Sequence, residues 1–95
     1  FLFLGFLPHK KGRETLFKEI AESKRAVVFY ESPHRILKTL ASLDTHASDR
    51  RVVILRELTK IYEEVLEGTA QELLGCLTDD PQKQRGEFVV IVAPQ

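Results

Sequence analysis

Apolar runs and turn-forming residues alternate along these 95 residues in a regular rhythm. "FLFLGFLP" (1–8) predicts a strand stopped by Pro8, and the polar, basic "HKKGRE" follows it. Leu16, Phe17, Ile20 and Ala21 recur at helical spacing and predict an amphipathic helix of about three turns. "AVVFYE" (26–31) is a continuous apolar run rich in β-branched residues, of the kind buried on both faces of a sheet. Ser32 and Pro33 then have the form of an N-cap and first helical residue, with Ile36, Leu37, Leu40 and Leu43 as the buried stripe of a second helix. "THASDR" breaks it, and "RVVILREL" (51–58) is the next buried strand. Thr69 and Glu72 form a capping-box pattern ahead of Ala70, Leu73, Leu74 and Leu77, which share one helical face. The loop "TDDPQKQRG" leads to a last strand, "EFVVIVAP".

Residues 58–67 fit two periods at once. Leu58, Ile61, Tyr62, Val65 and Leu66 have helical spacing, while Glu63, Val65 and Glu67 alternate as in an edge strand. Strands alternating with helices predict an α/β fold: a mixed, mostly parallel sheet of about five strands flanked by helices, in one domain spanning 1–95. In such folds ligands sit beyond the carboxyl ends of strands.

Composition narrows the functional classes. An apolar content of 43% suits a globular core, and the opening apolar run is too short to span a bilayer and lacks a basic leader, so no membrane partner is expected. A single cysteine, Cys76, and the lack of any Cys/His cluster at ligand spacing suit a reducing cytoplasm and predict no metal. The chain begins with Phe and contains no Met, and is expected to be a piece of something longer. The formal charge is zero, yet residues 1–60 hold twelve Lys and Arg against seven Asp and Glu, and residues 61–95 hold two against seven. That asymmetry would suit a polyanion if the fold kept the cations together. There is no GxGxxG, P-loop or GxSxG motif.

Polar groups cluster where each of the first three strands ends. "PHKKGR" brings Lys10, Lys11 and Arg13; "ESPHR" brings Glu31, His34 and Arg35; "RELTK" brings Arg56, Glu57, Thr59 and Lys60. If the three ends converge they make a basic pocket edge with two carboxylates in it. Simpler readings exist for each: helix-start punctuation for Ser32 and Pro33, and ion pairs for Glu31 with Arg35 and for Arg56 with Glu57.

The phrases "FLGFLPHKKGRETL", "FYESPHRIL", "RELTKIYEE", "EGTAQEL" and "GEFVVIV", in this order, resemble the carboxyl-terminal half of the ribosomal-RNA-modifying branch of the tetrapyrrole (corrin/porphyrin) methylase family. These are the class III methyltransferases that use S-adenosyl-L-methionine. The resemblance covers essentially the whole chain. It implies a two-domain enzyme with the cofactor in the cleft between domains, the amino-terminal domain and its glycine-rich loop lying outside these 95 residues. It also implies methylation of a cytidine ribose 2′-hydroxyl in small-subunit ribosomal RNA or the 30S subunit, a homodimer, and a piece inactive by itself. On that basis residues near 63–68 are expected to be a strand. The catalytic candidates are Glu31, Glu57 and Lys60. Cofactor contacts are expected through the backbone near Phe29 and Tyr30 and near Gly86, Glu87 and Phe88. RNA contacts are expected from Lys10, Lys11, Arg13, His34, Arg35, Arg56 and Thr59. Two rival readings are a superfamily methylase acting on a tetrapyrrole or another small molecule, and a noncatalytic α/β interaction or dimerisation module.

Overall fold

The computed structural model describes residues 1–57 and 62–95. The elements alternate as the apolar rhythm requires: β1 (Leu2–Phe6), α1 (Arg13–Glu22), β2 (Val27–Glu31), α2 (Ile36–Ala47), β3 (Arg51–Glu57), β4 (Tyr62–Thr69), α3 (Ala70–Asp79), a 3-10 turn (Pro81–Gln84) and β5 (Glu87–Val92). The strand expected within 58–67 is present from Tyr62 onward, and residues 58–61 lie outside the described residues.

Helix starts follow local chemistry. Before α1, Gly12 adopts a left-handed φ of 82°, a conformation that disfavours residues with a Cβ. The Thr69 side chain accepts from the Glu72 backbone N–H while the Glu72 carboxylate accepts from the Thr69 N–H, completing the expected capping box at α3. The start of α2 departs from expectation. Ser32 to Arg35 form a preliminary turn in which the Ser32 carbonyl accepts from the Arg35 and Ile36 N–H groups, and the regular helix begins at Ile36 rather than Pro33.

The five strands form one sheet in the order β1-β2-β5-β3-β4. The sheet is mixed, as expected, but not mostly parallel: only β1 and β2 pair parallel, whereas β2–β5, β5–β3 and β3–β4 are antiparallel. The reason is the placement of β5. Strands β1, β2 and β3 do run in one direction, as their helical connections predict, and the last strand then inserts antiparallel between β2 and β3.

A second correction concerns burial. Phe17, Ile20, Ile36, Leu40, Leu43, Leu73 and Leu77 from the helices share one core with Val27, Phe29, Val52, Ile54, Phe88, Val90 and Val92 from the sheet. The alternate residues Val28, Val53, Leu55, Val89 and Ile91 are half-buried and Tyr30 is exposed, so β2 and β3 are covered by helices on one face only. The open face is nevertheless apolar, which is why its strands read as continuous hydrophobic runs.

Candidate functional site

Antiparallel insertion of β5 brings its first residues to the edge where β1, β2 and β3 end. Across that edge Phe6 pairs with Tyr30, Glu31 with Phe88, and Glu57 with Glu87. On the open face these strand ends form a pocket of about 300 Å³ lined by Phe6, Tyr30, Glu57, Glu87, Phe88 and Val89. Alternation places the Tyr30, Glu57, Glu87 and Val89 side chains on this face. The Phe88 side chain is buried in the helix-side core, so Phe88 lines the pocket through its backbone.

The aromatic wall depends on an irregularity in β1. Phe3 and Phe6 are three residues apart and would face opposite ways in a regular strand. The register between β1 and β2 shifts between them, and Gly5 takes a φ of 64° there. Both rings consequently meet Tyr30, with centroid distances of 5.2 Å for Phe3 and 5.3 Å for Phe6. Phe6 and Val89 were not among the residues singled out from sequence; an isolated Gly inside an apolar run is the bulge signal that points to Phe6.

The other expected site residues divide into exposed and internal groups. Lys10, Lys11 and His34 are exposed and Arg35 is half-buried, all on the loops that leave β1 and β2 at this same end. Three residues expected at the site turn inward instead. Glu31 is buried on the helix side, its carboxylate accepting from the Ser32 N–H at 3.0 Å and from the Thr39 hydroxyl. Arg13 is buried, its guanidinium donating to the Pro8 carbonyl and to Thr39 and lying over the Phe17 ring. Arg56 donates to Glu64 at 3.0 Å and to the Gln82 and Arg85 carbonyls. The ion-pair partner of Arg56 is thus Glu64 across β3 and β4, not its neighbour Glu57. Because Arg13 and Arg56 are both consumed internally, the expected basic edge is thinner than the sequence suggests.

Arg56 has a structural task that bears on the pocket. Lys83 also bridges to Glu64, so the 3-10 turn is fastened to the sheet from two sides just before Gly86, with its φ of 90°, turns the chain into Glu87. The Lys83 ammonium, and after it Arg56, holds the Glu64 carboxyl below its ordinary value against the opposing effect of burial. The same contact raises the Lys83 ammonium above its ordinary value. Phe29 lies in the core, its backbone inside the sheet. Thr59 and Lys60 lie outside the described residues. Among the described residues, no group of three or more His, Cys, Asp or Glu side chains could hold a metal ion, and no helix is long and apolar enough to cross a membrane.

Sheet order and helix placement define an α/β domain whose mixed five-stranded sheet carries a pocket at one strand edge. The chain superimposes with a TM-score of 0.63 on the X-ray structure of a cobalamin biosynthetic enzyme, cobalt precorrin-4 methyltransferase, covering 97% of this chain and 39% of the other at 11% identity. At that identity the likeness is one of fold. The family model of the tetrapyrrole (corrin/porphyrin) methylases matches residues 1–74, and the chain belongs to that family. Among its curated relatives, the ribosomal RNA small subunit methyltransferase I of Pseudomonas aeruginosa is 42% identical over 95 residues, covering 98% of this chain and 34% of that protein. The proteins of the same name from Bacillus subtilis and Thermotoga maritima are each 38% identical over 93 residues. The chain spans about a third of the length of the curated relatives it matches.

Proposed function

We propose that this chain is the carboxyl-terminal domain of an S-adenosylmethionine-dependent ribosomal RNA methyltransferase, and that its open sheet face forms one wall of the cofactor cleft. The observation that carries this reading is the pocket at the shared strand edge, where aromatic rings and two carboxylates stand together on the one face without helices. The composition of that wall fits the cofactor. Tyr30 and Phe6 offer flat apolar surface to an adenine, and Glu57 and Glu87 offer negative charge to a molecule that carries a sulfonium and an ammonium. The walls come from one side only, so the amino-terminal domain closes the cleft.

The bound sulfonium supplies an electrophilic methyl group. The residues of this chain position the ribose hydroxyl in line with it and take up the hydroxyl proton. Positioning of this kind supplies about 7–11 kcal/mol of a barrier in favourable cases. Glu57 is the proton acceptor we assign, because it lines the pocket, whereas Glu31 is buried on the other face with both oxygens engaged. Lys10, Lys11 and Arg35, with His34 beside them, flank the same edge, where hydrogen-bond donors contact RNA phosphates and fix its register. The acceptor in this reading is a cytidine 2′-hydroxyl of small-subunit ribosomal RNA.

The test is transfer of a labelled methyl group from S-adenosylmethionine to unmodified small ribosomal subunits by the full-length protein. Label recovered in a cytidine ribose supports the reading. Label recovered only in a tetrapyrrole offered in parallel, or in neither acceptor, overturns it.

A further inference from the structure

On the helix side of the sheet, behind the end of β2, three polar side chains are withdrawn from water almost completely. Arg13, Glu31 and Thr39 are 6%, 4% and 0% exposed. The Arg13 guanidinium donates to the Pro8 carbonyl at 3.2 Å and to Thr39 Oγ1 at 2.9 Å. The Thr39 hydroxyl in turn donates to Glu31, whose other oxygen accepts from the Ser32 N–H. Arg13 thereby closes the 8–12 loop, Glu31 holds the start of the 32–35 turn, and the Thr39 hydroxyl on α2 stands between them. No direct Arg13–Glu31 ion pair forms among the described residues.

We propose that Thr39 is a positioning residue whose hydroxyl couples these two loops into one rim. The rim carries Lys10 and Lys11 on one loop and His34 and Arg35 on the other. A hydroxyl suits the place because it accepts from one charged group while donating to another. Valine has the same shape and does neither, leaving a guanidinium N–H and a carboxylate oxygen buried without partners. What the rim binds rests on the RNA reading above; the coupling itself rests on the hydrogen bonds alone.

The experiment uses full-length protein carrying Thr39→Val or Thr39→Ser. Amide hydrogen exchange is measured across residues 8–12 and 32–35, and kcat and KM with small-subunit ribosomal RNA are determined alongside. With valine, exchange in both loops quickens by about tenfold or more, the size expected for losing a charge-assisted hydrogen bond. Exchange in β3 and β5 stays as in the wild type. KM for RNA rises more than kcat falls, and serine restores both readouts. Wild-type protection of either loop with valine, or loosening by serine equal to that by valine, overturns the coupling. If Thr39→Val does not fold, Glu31→Gln interrogates the same link by leaving a single acceptor oxygen for two donors, the Thr39 hydroxyl and the Ser32 N–H; a 32–35 turn as protected as in the wild type then overturns it. If valine loosens both loops while the wild-type protein binds no RNA, the coupling stands and the RNA reading falls.

Discussion

Glu57 and Glu87 are partners across β3 and β5, so two carboxylates stand side by side on the open face and line the same pocket. Neither is among the carboxylates that form salt bridges among the described residues. Two like charges this close favour a cationic ligand.

From this pairing comes a prediction about ligand charge. In the full-length protein, Glu57→Gln combined with Glu87→Gln weakens binding of S-adenosylmethionine more than binding of S-adenosylhomocysteine, which lacks the sulfonium charge. A loss of about tenfold in the ratio of the two affinities, roughly 1.4 kcal/mol, is the expected scale for removing charges near a cation. Calorimetric titration of both ligands measures it, and an unchanged ratio would show that the carboxylates do not face the sulfonium.

Glu31 and Glu57 end successive parallel-running strands, yet the sheet turns them to opposite faces, and their substitutions should part accordingly. Glu57→Gln lowers methyl transfer by about a hundredfold or more, the usual range for losing a general base, with little change in stability. Glu31→Ala lowers stability by about 3 kcal/mol, because it strips a buried hydroxyl and a backbone N–H of their charged acceptor. Denaturant unfolding and single-turnover methylation separate the two effects. Full activity in Glu57→Gln would remove Glu57 as an essential base.

The Glu64 cluster makes stability depend on acidity in a defined direction. Lys83 and Arg56 hold the folded-state pKa of Glu64 below its ordinary value of 4.5. Its contribution is therefore present above the unfolded-state pKa and is lost as pH falls through the lower, folded-state one. The stability difference between wild type and Glu64→Gln should be constant near neutrality and shrink below about pH 4.5. Urea unfolding at a series of pH values tests this, and a difference that stayed constant into the acid range would contradict it.

Much of this architecture is legible in the sequence because its signals are local. The Thr69 to Glu72 spacing writes the capping box, and the apolar stripes of α2 and α3 write their buried faces. The strand-end edge is legible too, since three strands each followed by a polar cluster must run the same way if helices connect them. What escaped reading is non-local. No residue in "EFVVIV" announces that β5 lies antiparallel between β2 and β3, a pairing fixed by the whole sheet. Nor does Arg13 differ in sequence from its neighbours Lys10 and Lys11, although Thr39, 26 residues away, draws it inside. Tyr30, Glu57, Glu87 and Phe88, all named from the sequence, line the strand-edge pocket, whereas Phe6 is not legible there because its direction depends on the bulge at Gly5.

The central claim, that this open face is one wall of a cofactor cleft, is tested most directly by titrating the full-length protein with S-adenosylhomocysteine, with and without Phe6→Ala and Tyr30→Ala. Binding by the wild type, weakened about tenfold or more when both rings are removed, is the predicted result, given the energies of aromatic contacts in a desolvated pocket. Undiminished binding without the two rings would contradict the claim and place the cofactor elsewhere.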